Sequence, residues 1–243
     1  FKSHQHGKSQ HSLQTYLQME QKGPFSEEAR DLLKLLTSEN GRIKGITFRP
    51  RKSSVEADET MALIPSGFFI MGSNNSLEDE TPEHRVYLDE YWIDKYEVSS
   101  EKFAEFLNDV DNVKGYYLDN KFGTLFFKDR FYPRPGLENH PINNVTWQAA
   151  NEYCKWRKKR LPTEAEWEKA ARGTSAQIFP WGNGPPSPAL ARYFQTWTQE
   201  EKHHVMVPVQ AFPEGRSPFG LHNMAGNVKE WVDDWYDREY YKE

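Results

Sequence analysis

A single cysteine, Cys154, stands in the whole sequence, so no intrachain disulfide can form and cysteine pairing says nothing about the redox compartment. Apolar residues are also sparse, at 37% against 28% charged, with a mean hydropathy of −0.89. The most apolar stretch, Met61–Met71, is interrupted by Pro65, Ser66 and Gly67. It falls well short of the roughly 20 residues a membrane-spanning helix requires, so no transmembrane segment is expected. Basic charge is not in excess: the net charge is −5 and the pI about 6.0. That argues against a nucleic-acid partner, which a basic face would meet. The basic residues between Arg42 and Lys52 are local and are followed by Glu56, Asp58 and Glu59. No signal-peptide pattern follows Phe1, so the compartment has to be inferred from elsewhere.

Aromatic rings are plentiful: 8 Trp, 12 Tyr and 15 Phe. Burial therefore has to come from a few large rings rather than many aliphatics. Residues 1–25 read as a flexible polar arm carrying His4, His6 and His11. Residues 26–41 read as an amphipathic helix, capped by Ser26, with Ala29, Leu32, Leu33 and Leu36 at helical spacing and Asn40-Gly41 as the stop. One such helix cannot make a domain, so it is expected to dock on the main body or on a protein partner. Residues 42–59 read as a linker with a short strand over Ile43–Phe48.

From Thr60 the texture becomes globular. Met61–Met71 reads as strand, turn and strand, and Val86–Ile93 as a further strand. Ser99 or Ser100 opens a helix carrying Phe103, Ala104, Phe106, Leu107 and Val110. Residues 111–141 form an irregular aromatic excursion. Thr146 caps a helix with Trp147, Ala150 and Cys154 on one face. Thr163-Glu164-Ala165-Glu166 is a capping box whose helix ends at Gly173 and buries Trp167. Beyond it, glycines and prolines leave almost no regular structure. The fold class expected is α+β, with few short helices and strands and much ordered coil.

Several ordered blocks carry a resemblance. They are Ile64-Pro65-Ser66-Gly67-Phe68 with Met71-Gly72-Ser73; Glu80 through Val86; Asp94-Lys95-Tyr96-Glu97-Val98; and Pro141 through Trp147 with Tyr153-Cys154 and Trp156. The run Arg160-Leu161-Pro162-Thr163-Glu164-Ala165-Glu166-Trp167-Glu168 follows, then Pro180-Trp181-Gly182 and Phe219-Gly220-Leu221 through Gly226-Asn227-Val228-Lys229-Glu230-Trp231. Together they resemble the formylglycine-generating enzyme, or sulfatase-modifying-factor, family. The resemblance implies a loop-rich variant of the C-type lectin fold over residues 60–243.

It also implies chemistry. The family's enzymes are copper-dependent oxidases that convert a sulfatase cysteine to formylglycine, using two cysteines placed after the Gly-Asn-x-x-Glu-Trp block. Two soft thiolates suit Cu(I). Val232 through Glu243 contain neither cysteine, so the domain's C-terminal part is expected to be missing and no catalytic residue is assigned. Cys154, on a helix face expected to be buried, is read as a core thiol. The resemblance further implies a structural Ca²⁺ site at Asn223, Gly226, Val228 and Glu230, where side-chain and backbone oxygens suit a hard cation. At a second family site Arg192 stands where an Asn would be expected, so that site is read as lost.

Three functions remain. The first is a non-catalytic pseudoenzyme domain, periplasmic or secreted, that binds or scaffolds in an extracytoplasmic assembly through its N-terminal helix. The second is a fragment of the copper oxidase, copper entering only with the missing cysteines. The third is a relative of the iron-dependent sulfoxide synthases, for whose helical domain the first 58 residues are too short.

Overall fold

The structure, a computed structural model, describes residues 59–193 and 205–242. The expected arm (1–25), amphipathic helix (26–41) and most of the linker lie outside the described residues. No described helix is long and apolar enough to cross a membrane.

Four short strands make two antiparallel pairs. Strand β1 (Met61–Ile64) pairs with β4 (Tyr91–Asp94), Ala62 facing Ile93, and β2 (Gly67–Met71) pairs with β3 (His84–Leu88), Phe69 facing Val86. The Pro65-Ser66 turn therefore does not fold β1 onto β2. The turn's carbonyls are taken instead by Lys169, whose Nζ donates to Pro65 O at 2.8 Å and Gly67 O at 2.9 Å. Burial pushes the Lys169 ammonium down to about 8, a cost these charge-assisted bonds partly offset. The single strand expected over Val86–Ile93 is two strands broken at Asp89-Glu90, because its halves serve different partners. β5 (Leu125–Phe127) and β6 (Phe131–Pro133) form a hairpin inside the aromatic excursion.

Helix α1 (Ser100–Asp109) starts at Ser99, whose hydroxyl accepts from Lys102 N at 3.4 Å. Its buried Phe103, Ala104, Phe106 and Leu107 meet Leu125 and, from α2 (Trp147–Trp156), Ala149 and Tyr153. Phe106 touches the rings of Phe103, Tyr116, Tyr153 and Trp156. The buried stripe of α2 is centred on Ala149 and Tyr153; the expected Trp147, Ala150 and Cys154 flank it, half-buried. Trp147 is held there because its indole N–H donates to Val232 O at 2.8 Å.

Helix α3 (Glu164–Arg172) has the capping box read from its sequence: Glu166 N donates to Thr163 Oγ1, and Thr163 N donates to Glu166 Oε2. Glu166 also grips Arg160 through both oxygens at 2.6 Å. Trp167 is half-buried, and the fully buried side of α3 is instead Lys169, Ala170 and Ala171. Ala170 and Ala171 join Ala62, Ile64, Leu221 and Met224 in a second core cluster.

Candidate functional site

Residues 217–233 form a loop without helix or strand, and its Leu221 and Met224 belong to the second core cluster. Ser217 starts it with a tight turn: Gly220 N donates to Ser217 O at 2.8 Å, and Leu221 N donates to Ser217 Oγ at 3.2 Å. His222 N donates to Lys95 O at 2.8 Å, fastening the loop to the end of β4. Farther on, Trp231 donates its indole N–H to Val145 O, and Asp233 N donates to Pro162 O. Asp234 caps the start of α3 by accepting from Glu164 N at 2.7 Å, a carboxylate placed at the positive end of the helix dipole.

Between these anchors the backbone bends through left-handed conformations at Asn223 (φ 54), Gly226 (φ 94) and Asn227 (φ 58). Asparagine and glycine are the residues that adopt this region at least cost. A Cβ on Gly226 would lie 2.3 Å from Arg192 O, which also accepts from Asn227 N at 2.9 Å. Arg192, expected to disfavour a second cation, thus serves this loop through its backbone.

At the centre of the loop's contacts is Glu97, just beyond β4. Its carboxylate accepts from Asn223 Nδ2 at 2.8 Å and from Asn227 Nδ2 at 3.0 and 3.2 Å. Burial pushes the Glu97 carboxyl up to about 9, with the negative charge of Glu230 adding to the shift and the two amides opposing it. Surrounding protein also raises the Glu230 carboxyl, although its side chain still touches water at the cavity mouth. Glu230 Oε2 accepts the indole N–H of Trp167 at 2.9 Å.

The four residues expected to bind calcium lie on this one loop, and each has an oxygen of the hard type such a cation takes. Asn223 turns its amide nitrogen to Glu97 and Val209 O, leaving Oδ1 buried without a hydrogen-bond donor. Among the described residues no donor reaches the carbonyls of Gly226 and Val228 or Oε1 of Glu230. Of these oxygens Asn223 Oδ1 is the buried one, and a buried oxygen without a donor is costly unless something positive meets it. Sequence reasoning did not single out Glu97 and Asn227, although both lie in blocks that carry the resemblance. Glu97 is 130 residues from Asn227, and only the folded chain brings them together.

A cavity of about 360 Å³ opens beside this loop, lined by β4, the start of α3 and Trp231. Cys154 borders it. Burial and then the charge of Asp94 push its thiol up to about 11, leaving little thiolate at neutral pH. Cys154 is expected to react with iodoacetamide at pH 8 at least about ten times more slowly than free cysteine. Equal rates would show an activated thiol, contrary to its reading as part of the core.

The comparisons agree with this architecture. The chain is 34% identical over 194 residues to serine/threonine-protein kinase pkn1 of Chlamydia caviae, covering 75% of this chain and 29% of that protein. It is 32% identical over 246 residues to the formylglycine-generating enzyme of Mus musculus, covering 82% of this chain and 63% of the enzyme. The chain thus spans about a third to two thirds of these relatives. Among solved structures, PvdO from Pseudomonas aeruginosa superposes with a TM-score of 0.55 at 28% identity, over 74% of this chain and 72% of that one. A family model described as the sulfatase-modifying factor enzyme 1-like domain matches residues 48–243. The chain belongs to the formylglycine-generating enzyme-like, sulfatase-modifying factor family.

Proposed function

We propose that this domain is a calcium-braced binding module of an extracytoplasmic assembly, built on a variant of the C-type lectin fold, and that it scaffolds a protein partner rather than oxidising one. The observation that carries the reading is the loop from Asn223 to Glu230, with its buried, donorless Asn223 Oδ1. Asn223, Gly226, Val228 and Glu230 would hold the ion, which supplies positive charge to a loop with little regular structure of its own. Millimolar calcium outside the cytoplasm suits an irregular site of one carboxylate and neutral oxygens. Cys154, whose raised pKa leaves little thiolate, is a poor copper ligand, and this supports binding over oxidation by the described residues. The apolar spacing of Leu32, Leu33 and Leu36 in the sequence supports a protein partner for this module.

Thermal unfolding in 2 mM calcium and in excess chelator tests the metal. The midpoint is expected to rise with calcium by several degrees, about 2–3 kcal/mol at a hundredfold excess over Kd. Glu230→Ala should abolish the rise. Identical midpoints in both buffers would remove calcium from the proposal.

A second reading is favoured by the 32% identity to the mouse enzyme, which covers 82% of this chain. In it, these residues are the framework of a copper oxidase acting on a sulfatase cysteine. Incubation of the protein isolated from its native source with Cu(I), O₂ and a cysteine-containing sulfatase peptide distinguishes the two. No aldehyde is expected, and any copper-dependent aldehyde yield would establish the oxidase.

A further inference from the structure

The two ends of an asparagine amide have the same shape but opposite hydrogen-bonding character, so Asn223 can serve a cation in only one of its two orientations. Oδ1 has to face the ion and Nδ2 has to face away from it. In the structure Nδ2 is turned inward, donating to Glu97 Oε2 at 2.8 Å and to Val209 O at 3.2 Å, and Oδ1 is left buried without a donor. A reversed amide would set its oxygen against those two acceptors. Glu97 is itself held by a second asparagine. Val207 N donates to Asn227 Oδ1 at 2.9 Å, and Asn227 Nδ2 donates to Val207 O at 3.2 Å, so Asn227 cannot turn over without losing both bonds. The same Nδ2 donates to Glu97 Oε1 at 3.0 Å and to Oε2 at 3.2 Å, which fixes the plane of the carboxyl. Orientation thus passes from the Val207 backbone through Asn227 and Glu97 to Asn223.

We propose that Glu97 is a positioning residue of the calcium loop: it holds the Asn223 amide with its oxygen toward the ion and does not touch the ion itself. This rests on the calcium reading above and extends it from the four expected ligands to the group that orients one of them. The bracket needs no negative charge. Glu97 Oε2 accepts from both amides, so a proton carried on Oε1 leaves the two bonds to Oε2 in place. The effect on the ion is indirect but large, because outer partners that orient a ligand typically contribute about 10- to 100-fold to metal affinity. With Glu97 gone, Val209 O is the one acceptor left to Asn223 Nδ2 among the described residues, and the amide is free to swing its oxygen off the site.

Calorimetric titration of calcium into the chelator-treated full chain tests this, with the unfolding midpoint in chelator as the check that each variant folds. Glu97→Leu fills the space but accepts nothing, and Glu97→Asp brings its carboxyl one methylene short of Asn223. Each is expected to raise the calcium Kd by at least about ten-fold, and the second keeps the test open if the first does not fold. The discriminating background is Asn223→Asp, which presents an oxygen to the ion whichever way it faces. There the same Glu97 substitutions should change Kd by less than about two-fold, whereas a residue that only supported the fold would cost the same on both backgrounds. Calcium binding by the native chain with Kd unchanged in the Glu97 variants would overturn the proposal and leave the calcium reading standing. Equal losses on the two backgrounds would also overturn it. No calcium binding by the native chain would overturn both together.

Discussion

Phe106→Ala is expected to destabilise the domain by about 3–5 kcal/mol, the range for removing a fully buried ring whose surroundings cannot collapse. The surroundings here are rigid. Phe106 is 1% exposed, and the four rings around it belong to α1, α2 and the excursion at Tyr116, so closing the hole would require all three to shift together. With so few aliphatics in the chain, little else can move in. The matched control is Phe127→Ala at the β5–β6 hairpin, where the ring is 56% exposed and a change within about 1 kcal/mol is expected. Urea denaturation of both variants measures the difference. Similar midpoints would mean that the ring cluster is not the core on which α1 and α2 depend.

Gly226→Ala is the second large effect, expected at about 3 kcal/mol together with loss of the calcium response. Two costs combine: a left-handed φ of 94° that an L side chain rarely adopts, and a Cβ placed 2.3 Å from Arg192 O. The obstacle is a backbone carbonyl, so no rotamer change relieves it. Moving that carbonyl would also break its bond from Asn227 N, and Asn227 in turn orients Glu97. Gly220→Ala separates the costs. Gly220 has a φ of 82° but nothing within 4 Å of its Cβ position, so only the conformational cost of about 1 kcal/mol is expected. Equal losses in the two variants, measured by thermal unfolding with and without calcium, would show that contact with Arg192 does not shape the loop.

Local signals were legible before any coordinates. Ser99, Thr146 and Thr163 each cap the helix they were read to start, because a cap depends on a hydroxyl and on backbone N–H groups within the next three residues. The candidates Asn223, Gly226, Val228 and Glu230 lie on one eight-residue bend with its own left-handed positions, which is a local object. Where the reading went astray, the missing information was not local. The face of α2 was assigned one residue off, to Ala150 and Cys154 rather than Ala149 and Tyr153, because Val232 holds Trp147 from 85 residues away. The stretch Val86–Ile93 looked like one strand because nothing in its composition announces two different pairing partners.

The same division runs through the candidate site. The sequence by itself determined the starts of the three described α-helices and the loop-rich character, since each depends on neighbours in the chain. Only the tertiary structure decided that Glu97 lies beneath Asn223 and Asn227, that Arg192 closes on Gly226, and that β4 lines a cavity. These are contacts between groups up to 130 residues apart. Their partners are chosen by packing around shared rings and by the need to satisfy buried polar groups, and neither is written in any short stretch of chain.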